Sequence, residues 1–167
     1  MITKNKPAKF LNVSSDKSVD SSTLYGTTKQ LGERLTSWAG LHIAPTKSGS
    51  VRFGNVMESR GNVFSIWNEE IKNNKPISIT EPNMKRYFFH VDEAANFILE
   101  CLPLIKAGEI FVPKMKLYKI KDLADKISKK QNIIGLRRGE KIEEILLTKD
   151  EKNRAIEKSN MWIIKSE

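Results

Sequence analysis

The chain has 167 residues, 39% hydrophobic and 29% charged, enough apolar material for a core and too much for a disordered polypeptide. Its formal charge of +9 comes mostly from lysines interleaved with Asp and Glu along the whole length, which describes a solvated surface better than a nucleic-acid groove. The single cysteine, Cys101, excludes an internal disulfide and favours a reducing compartment. Residues 1–9 are polar with no apolar stretch behind them, and the longest apolar region, 88–105, is broken by Asp92, Glu93 and Glu100. The expectation is a cytoplasmic protein with no membrane span and no nucleic-acid partner.

In chain order, Phe10, Leu11 and Val13 predict a short buried strand over residues 9–14 that ends in small polar residues. Leu24, Leu31, Leu35 and Trp38 mark the inward face of a helix over residues 25–38, capped by Ser22 or Thr23. Residues 50–56 read as a second strand running into Gly54 and a turn at Gly61. Val63, Trp67 and Ile71, four apart, predict a helix to residue 73, followed by extended runs at 77–80 and 86–91. Asp92 is expected to cap a helix that turns Ala95, Ile98, Leu99 and Leu102 inward. A strand at 110–112 precedes Pro113, and a helix over 119–129 places Ile120, Leu123, Ala124 and Ile127 on the core. The loop Arg137-Arg138-Gly139-Glu140-Lys141 leads into a short helix over 142–147, a charged helical segment and a last strand over 161–164. Strands alternating with helices imply an α/β fold with at least partly parallel pairing.

The chemistry concentrates near the start. Tyr25-Gly-Thr-Thr-Lys29 sets a phenol and an amine at i and i+4, on one face of the predicted helix. An ammonium there favours the phenolate and makes the phenol a usable base near neutral pH. Tyr-x-x-x-Lys alone arises readily by chance in so lysine-rich a chain, and Asp16-Lys17 alone also describes a solvated turn. The setting is what narrows the reading: a strand ends in Ser14-Ser15-Asp16-Lys17, a loop follows, and Tyr25 opens a helix. His42 and His90 have no partner at metal-ligand spacing, and no metal site is expected. His90, Cys101, Trp38 and Trp67 are assigned to packing.

The run Val13-Ser-Ser-Asp-Lys-Ser-Val19 followed by Leu24-Tyr-Gly-Thr-Thr-Lys29 resembles the extended short-chain dehydrogenase/reductases of polysaccharide biosynthesis. Within them it is similar to the CapD-like UDP-N-acetylglucosamine 4,6-dehydratases. Val51-Arg-Phe-Gly-Asn-Val56 with Ser59-Arg-Gly61, Ile79-Thr-Glu-Pro-Asn-Met-Lys-Arg-Tyr-Phe88, Gly108-Glu-Ile-Phe-Val-Pro-Lys114 and Ile134-Gly-Leu-Arg-Arg-Gly-Glu-Lys141 match in the same order. The resemblance implies the C-terminal part of an extended Rossmann-type fold, a doubly wound parallel sheet, with a small α/β substrate-binding subdomain. Residues 1–60 would carry the remaining dinucleotide-binding sheet and the catalytic helix. Residues 61–167 would be mostly the substrate subdomain, interleaved with the last sheet strands.

By the same resemblance, Tyr25 takes the proton of the sugar 4-hydroxyl as hydride leaves C4 for NADP (or NAD), and Lys29 holds the nicotinamide ribose. Ser15 positions the hydroxyl, Lys17 is the base at C5, and Asp16 is the acid for the departing 6-hydroxyl. Asn55, Arg86, Arg137 and Glu140 would meet the UDP-sugar. The residues alone leave alternatives open: Arg86 as a surface salt bridge, Asn55 as the cap of a strand end, and Arg137 with Glu140 as an ordinary turn. The chain departs from the family pattern at Asp20-Ser21-Ser22, where Pro is frequent, and at Arg138. None of the nine glycines forms the Gly-rich dinucleotide turn. These residues by themselves are therefore expected neither to hold NADP tightly nor to turn over a sugar nucleotide. A complementary N-terminal half or a second copy is the expected partner, and a 4-epimerase/reductase or an inactive remnant are the rival readings.

Overall fold

A computed structural model of the chain describes residues 7–57, 59 and 61–166. Residues 1–6 of the polar opening and Arg60 of the matched Ser59-Arg-Gly61 segment lie outside the described residues. The elements are β1 (Lys9–Ser15), a 3-10 turn (Asp16–Ser18), α1 (Leu24–His42), β2 (Lys47–Phe53), β3 (Asn55–Val56), α2 (Val63–Lys72), β4 (Ile77–Ile79), β5 (Lys85–Phe89) and α3 (Val91–Cys101). After a 3-10 turn (Leu102–Leu104) come β6 (Ile110–Pro113), β7 (Leu117–Lys119), α4 (Ile120–Ile127), β8 (Gln131–Ile133), α5 (Lys149–Arg154), β9 (Ala155–Glu157) and β10 (Met161–Ile164). They form two compact units, one of residues 1–53, 95–114 and 145–167, the other of 54–94 and 115–144.

The first unit is built on a sheet of order β1-β2-β6-β10-β9. β1, β2 and β6 run parallel, and β10 and β9 add antiparallel. Val51, Phe111, Val112, Met161 and Ile164 fill its core, consistent with a sheet covered on both faces. β2 buries the small residues Ser48, Gly49 and Ser50, and Ser48 donates to the Thr36 carbonyl at 2.9 Å, so α1 packs closely on it. Thr23 caps α1 by accepting from the Gly26 amide at 3.1 Å.

In the second unit β3-β5-β7 form one small sheet and β4-β8 another. Trp67, Ile77, Ile79, Met84, Phe88, Ile120 and Ala124 make its core. Trp67 is fully buried with its indole N–H on the Ser78 carbonyl at 2.7 Å. The second strand foreseen over 50–56 breaks at Gly54, because a side chain there would strike Tyr87.

Several expectations are corrected. Leu24, Leu31, Leu35 and Trp38 of α1 are exposed; the helix buries Gly26, Glu33 and Thr36 instead. In α3 the inward positions are Ala94, Phe97 and Cys101, one step away from Ala95, Ile98, Leu99 and Leu102, and Leu99 is 64% exposed. Asp92 lies inside α3, and the Glu93 carboxylate accepts from the His90 amide at 2.8 Å at the helix start. His90 itself is exposed. Ile127 at the end of α4 is partly exposed. Residues 142–147 are not helical, because Glu143 bridges to Lys85 and the Lys85 amide takes the Ile142 carbonyl at 2.8 Å. The short strands β7, β8 and β9 carry too few residues for their alternation to stand out. No helix among the described residues is long and apolar enough to cross a membrane.

Candidate active site

Ser15, Asp16, Lys17, Tyr25 and Lys29 all belong to the first unit, at the carboxyl end of β1 and the start of α1. In open α/β sheets ligands bind outside the carboxyl ends of the strands. β1 ends in Ser15, whose side chain caps the 3-10 turn by accepting from the Lys17 amide at 3.3 Å. The Ser15 hydroxyl also donates to Asp16 Oδ1 at 2.8 Å, and Lys17 Nζ donates to the same oxygen at 2.9 Å. Asp16 is fully buried, and its Oδ2 has no hydrogen-bond partner among the described residues. An unmatched carboxylate oxygen in a dry setting is costly and calls for a reason to be kept. Ser14 Oγ, two residues earlier, is a second buried oxygen with no hydrogen-bond partner among the described residues.

The turn meets the helix at Gly26. A side chain there would strike the Lys17 carbonyl, so only glycine lets α1 start against the turn. Tyr25, next in line, is 54% exposed. Lys29 follows one turn later, its ammonium 5.7 Å from the Tyr25 ring centroid and 3.0 Å from the Val13 carbonyl, to which it donates. The structure thus brings the two predicted pairs together on adjoining elements.

The four expected substrate residues belong to the second unit. Asn55 on β3 donates from its amide to the Tyr87 carbonyl at 3.1 Å. Arg86 on β5 donates to the carbonyls of Lys85 and Lys141 at 2.8 Å and of Ile142 at 3.3 Å. These bonds tie β5 to the loop that carries Arg137 and Glu140. That loop is a turn in which the Arg137 amide donates to Glu140 Oε2 at 3.0 Å and Gly139 has φ +83°. Arg137 is exposed and Glu140 half-buried. Met57, Ser59, Asn62 and Phe64 line an open depression of about 710 Å³ in the same unit.

One group was missed in the sequence. Arg52, almost fully buried on β2, donates to both oxygens of Glu33 (2.9 and 2.7 Å), both oxygens of Glu151 (2.9 Å each) and the Leu146 carbonyl (3.0 Å). Burial by itself would lower the guanidinium's affinity for its proton, but hydrogen bonds and charge from Glu33 and Glu151 push it above its ordinary value. Burial would likewise raise Glu151, yet Arg52 holds that carboxyl below the usual range. The signal was available: Arg52 stands directly between Val51 and Phe53 near the end of a predicted strand, where a charge flanked by apolar residues calls for a buried partner.

The model of the polysaccharide biosynthesis protein family matches residues 1–166 of the chain. The UDP-N-acetylglucosamine 4,6-dehydratase (inverting) of Campylobacter jejuni is 34% identical over 166 residues, 96% of this chain and 49% of that protein. A UDP-glucose 4-epimerase of Rickettsia bellii is 34% identical over 170 residues, 97% of this chain and 50% of the relative. The solved structure of Pen from Bacillus thuringiensis superposes with a TM-score of 0.89 at 35% identity, covering 95% of this chain and 53% of that one. The chain spans about half the length of each of these proteins. It belongs to the polysaccharide biosynthesis protein family, and its fold is that of the Rossmann-type dehydratases and epimerases.

Proposed function

We propose that the chain is the catalytic and substrate-binding portion of a nucleotide-sugar 4,6-dehydratase acting on a UDP-N-acetylhexosamine in polysaccharide synthesis. The observation that carries this reading is the Asp16–Lys17 couple beside the Tyr25–Lys29 pair. A 4-epimerase, which is what the Rickettsia relative is named, needs the phenol and its amine but has no use for an acid and a base side by side. Elimination of water across neighbouring carbons needs both.

The residues at the site fit part of a nicotinamide dinucleotide. The Lys29 ammonium and the exposed Tyr25 hydroxyl can hold the nicotinamide ribose; the chain's glycines supply no pyrophosphate turn. When bound, the nicotinamide group would supply hydride acceptance and return. Tyr25 takes the proton of the sugar hydroxyl, with Lys29 stabilising the phenolate, and Ser15 orients that hydroxyl. Once C4 is a ketone, the neutral amine of Lys17 removes the C5 proton. The carboxylic acid of Asp16 protonates the 6-hydroxyl, the C6–O bond breaks, a C5–C6 double bond forms and water leaves. That step leaves an ammonium and a carboxylate, the pair seen at 2.9 Å. The Lys17 ammonium, exchanged with solvent, gives a proton to C5 when C6 is reduced, and Asp16 regains its proton from solvent for the next cycle. In the second unit Arg86, Arg137, Glu140 and Asn55 are proposed to bind the UDP end.

The test is to incubate the polypeptide that carries these residues with UDP-N-acetylglucosamine and NADP or NAD in D₂O. Loss of one water with deuterium at C5, abolished by Lys17→Met, supports the reading. A product of unchanged mass, epimerised at C4 and insensitive to Lys17→Met, would replace it with the epimerase.

A further inference from the structure

The turn that carries Asp16 and Lys17 is only three residues long, and several of its contacts are local: Ser15 to Asp16, Lys17 to Asp16, and the Val19 amide to the Asp16 carbonyl at 3.1 Å. Such contacts shape the turn, and the close approach of the Lys17 carbonyl to Gly26 seats it on α1 without a directional bond. A side-chain hydrogen bond reaches from the turn to that helix at Ser18. The buried Ser18 hydroxyl lies 2.7 Å from the Ser15 carbonyl and 2.8 Å from Glu33 Oε1, its one proton shared between a backbone and a carboxylate acceptor. Glu33 sits eight residues after Tyr25 and four after Lys29 on α1, so the three side chains span two turns, about 12 Å of a stiff rod.

The Glu33 carboxylate is itself held. The planar fork of Arg52 grips both its oxygens from β2, fixing its plane as a lysine would not. The remaining Arg52 donors go to Glu151 and the Leu146 carbonyl, so all five N–H groups are used. Glu151 in turn closes a capping box with Thr148 at the start of α5. A continuous chain of hydrogen bonds thus runs from Thr148 through Glu151, Arg52, Glu33 and Ser18 to the backbone of Ser15.

We propose that Glu33, acting through Ser18, is a positioning residue that sets the Asp16–Lys17 couple in register with Tyr25 and Lys29, and that Arg52 and Glu151 lock Glu33 for that task. The catalytic meaning of this clamp rests on the dehydratase reading; its mechanical content does not. Burying three charges is a poor way to gain stability compared with apolar packing, whereas it defines one orientation sharply.

The test is amide hydrogen exchange and lysine side-chain NMR on the full chain carrying Ser18→Ala, which cuts the clamp and leaves the Arg52 network whole. Exchange at the Lys17 and Val19 amides is expected to rise about tenfold or more, the scale set by losing a hydrogen bond to a charged acceptor. Amides of β2 and β10 should stay within about twofold, as expected for local opening alone. The Lys17 ε-methylene resonance, read well below melting, should shift as its contact with Asp16 becomes averaged. Glu33→Gln, nearly isosteric, should loosen the same amides and serves if the alanine variant does not fold. Unchanged exchange at Val19, or a rise spread evenly over the core strands, would overturn the clamp. Neither result bears on turnover, so the Lys17→Met assay can fail or succeed separately.

Discussion

Replacing Arg52 by alanine is expected to cost about 3–5 kcal/mol of folding stability, the range for removing one partner of a buried ion pair. The structure sets the magnitude. Five hydrogen bonds vanish together, and the Glu33 and Glu151 side chains they neutralise are 4% and 14% exposed. Glu33 would keep only the Ser18 hydroxyl, and Glu151 the Thr148 amide at 2.9 Å. Dispersion lost with the guanidinium adds to the cost, while water admitted beside Glu151 offsets part of it. For a chain of this size the loss corresponds to a fall in Tm of about 6–20 °C. Urea unfolding followed by far-UV circular dichroism measures it directly. The companion replacement Arg52→Met with Glu33→Leu and Glu151→Leu should recover much of the loss, because apolar groups of similar volume carry no desolvation cost. A loss under about 1 kcal/mol for Arg52→Ala would refute the reasoning, since that is the value of a solvated surface pair.

Acid should act on the same network. Glu151 is held below its ordinary value of 4.5, so its contribution is complete above that value and is lost as pH falls through the lowered folded value. Tm should therefore be flat from neutral pH to about 5 and drop below 4.5, with a shallower drop in Glu151→Gln. Gly26→Ala should destabilise by about 1–3 kcal/mol in thermal melts despite alanine's better helix propensity, because its methyl meets the Lys17 carbonyl; a gain in Tm would contradict the close approach. Trp67→Ala should cost about 3–5 kcal/mol, read by urea unfolding, from the cavity left and the Ser78 carbonyl orphaned.

Much of the site was legible in the linear chain because its pieces are local. Ser15, Asp16 and Lys17 share one turn, and Tyr25 and Lys29 share one face of a helix whose cap, Thr23, sits two residues ahead. Helical spacing also placed Trp67 correctly in the second unit's core, where Ile77 and Ile79 of β4 close over it. Such features depend on neighbours within a few residues, and periodicity reports them.

What only the tertiary structure decided depends on partners far along the chain. Apolar spacing pointed Leu31, Leu35 and Trp38 inward, but α1 turns Glu33 and Thr36 to the sheet. A carboxylate can be buried there because Arg52 arrives from β2, 19 residues from Glu33, and Arg52 is balanced in turn by Glu151 of α5, 99 residues further on. Residues 142–147 are not helical for a similar reason: Lys85 offers Ile142 and Glu143 a backbone partner that local propensity cannot foresee. The sequence by itself determined the longer elements, β1, α1, β2, α2, α3 and α4, and which side chains gather at the end of β1. Folding chose the buried faces, because the charge that makes a polar face buriable is supplied across space.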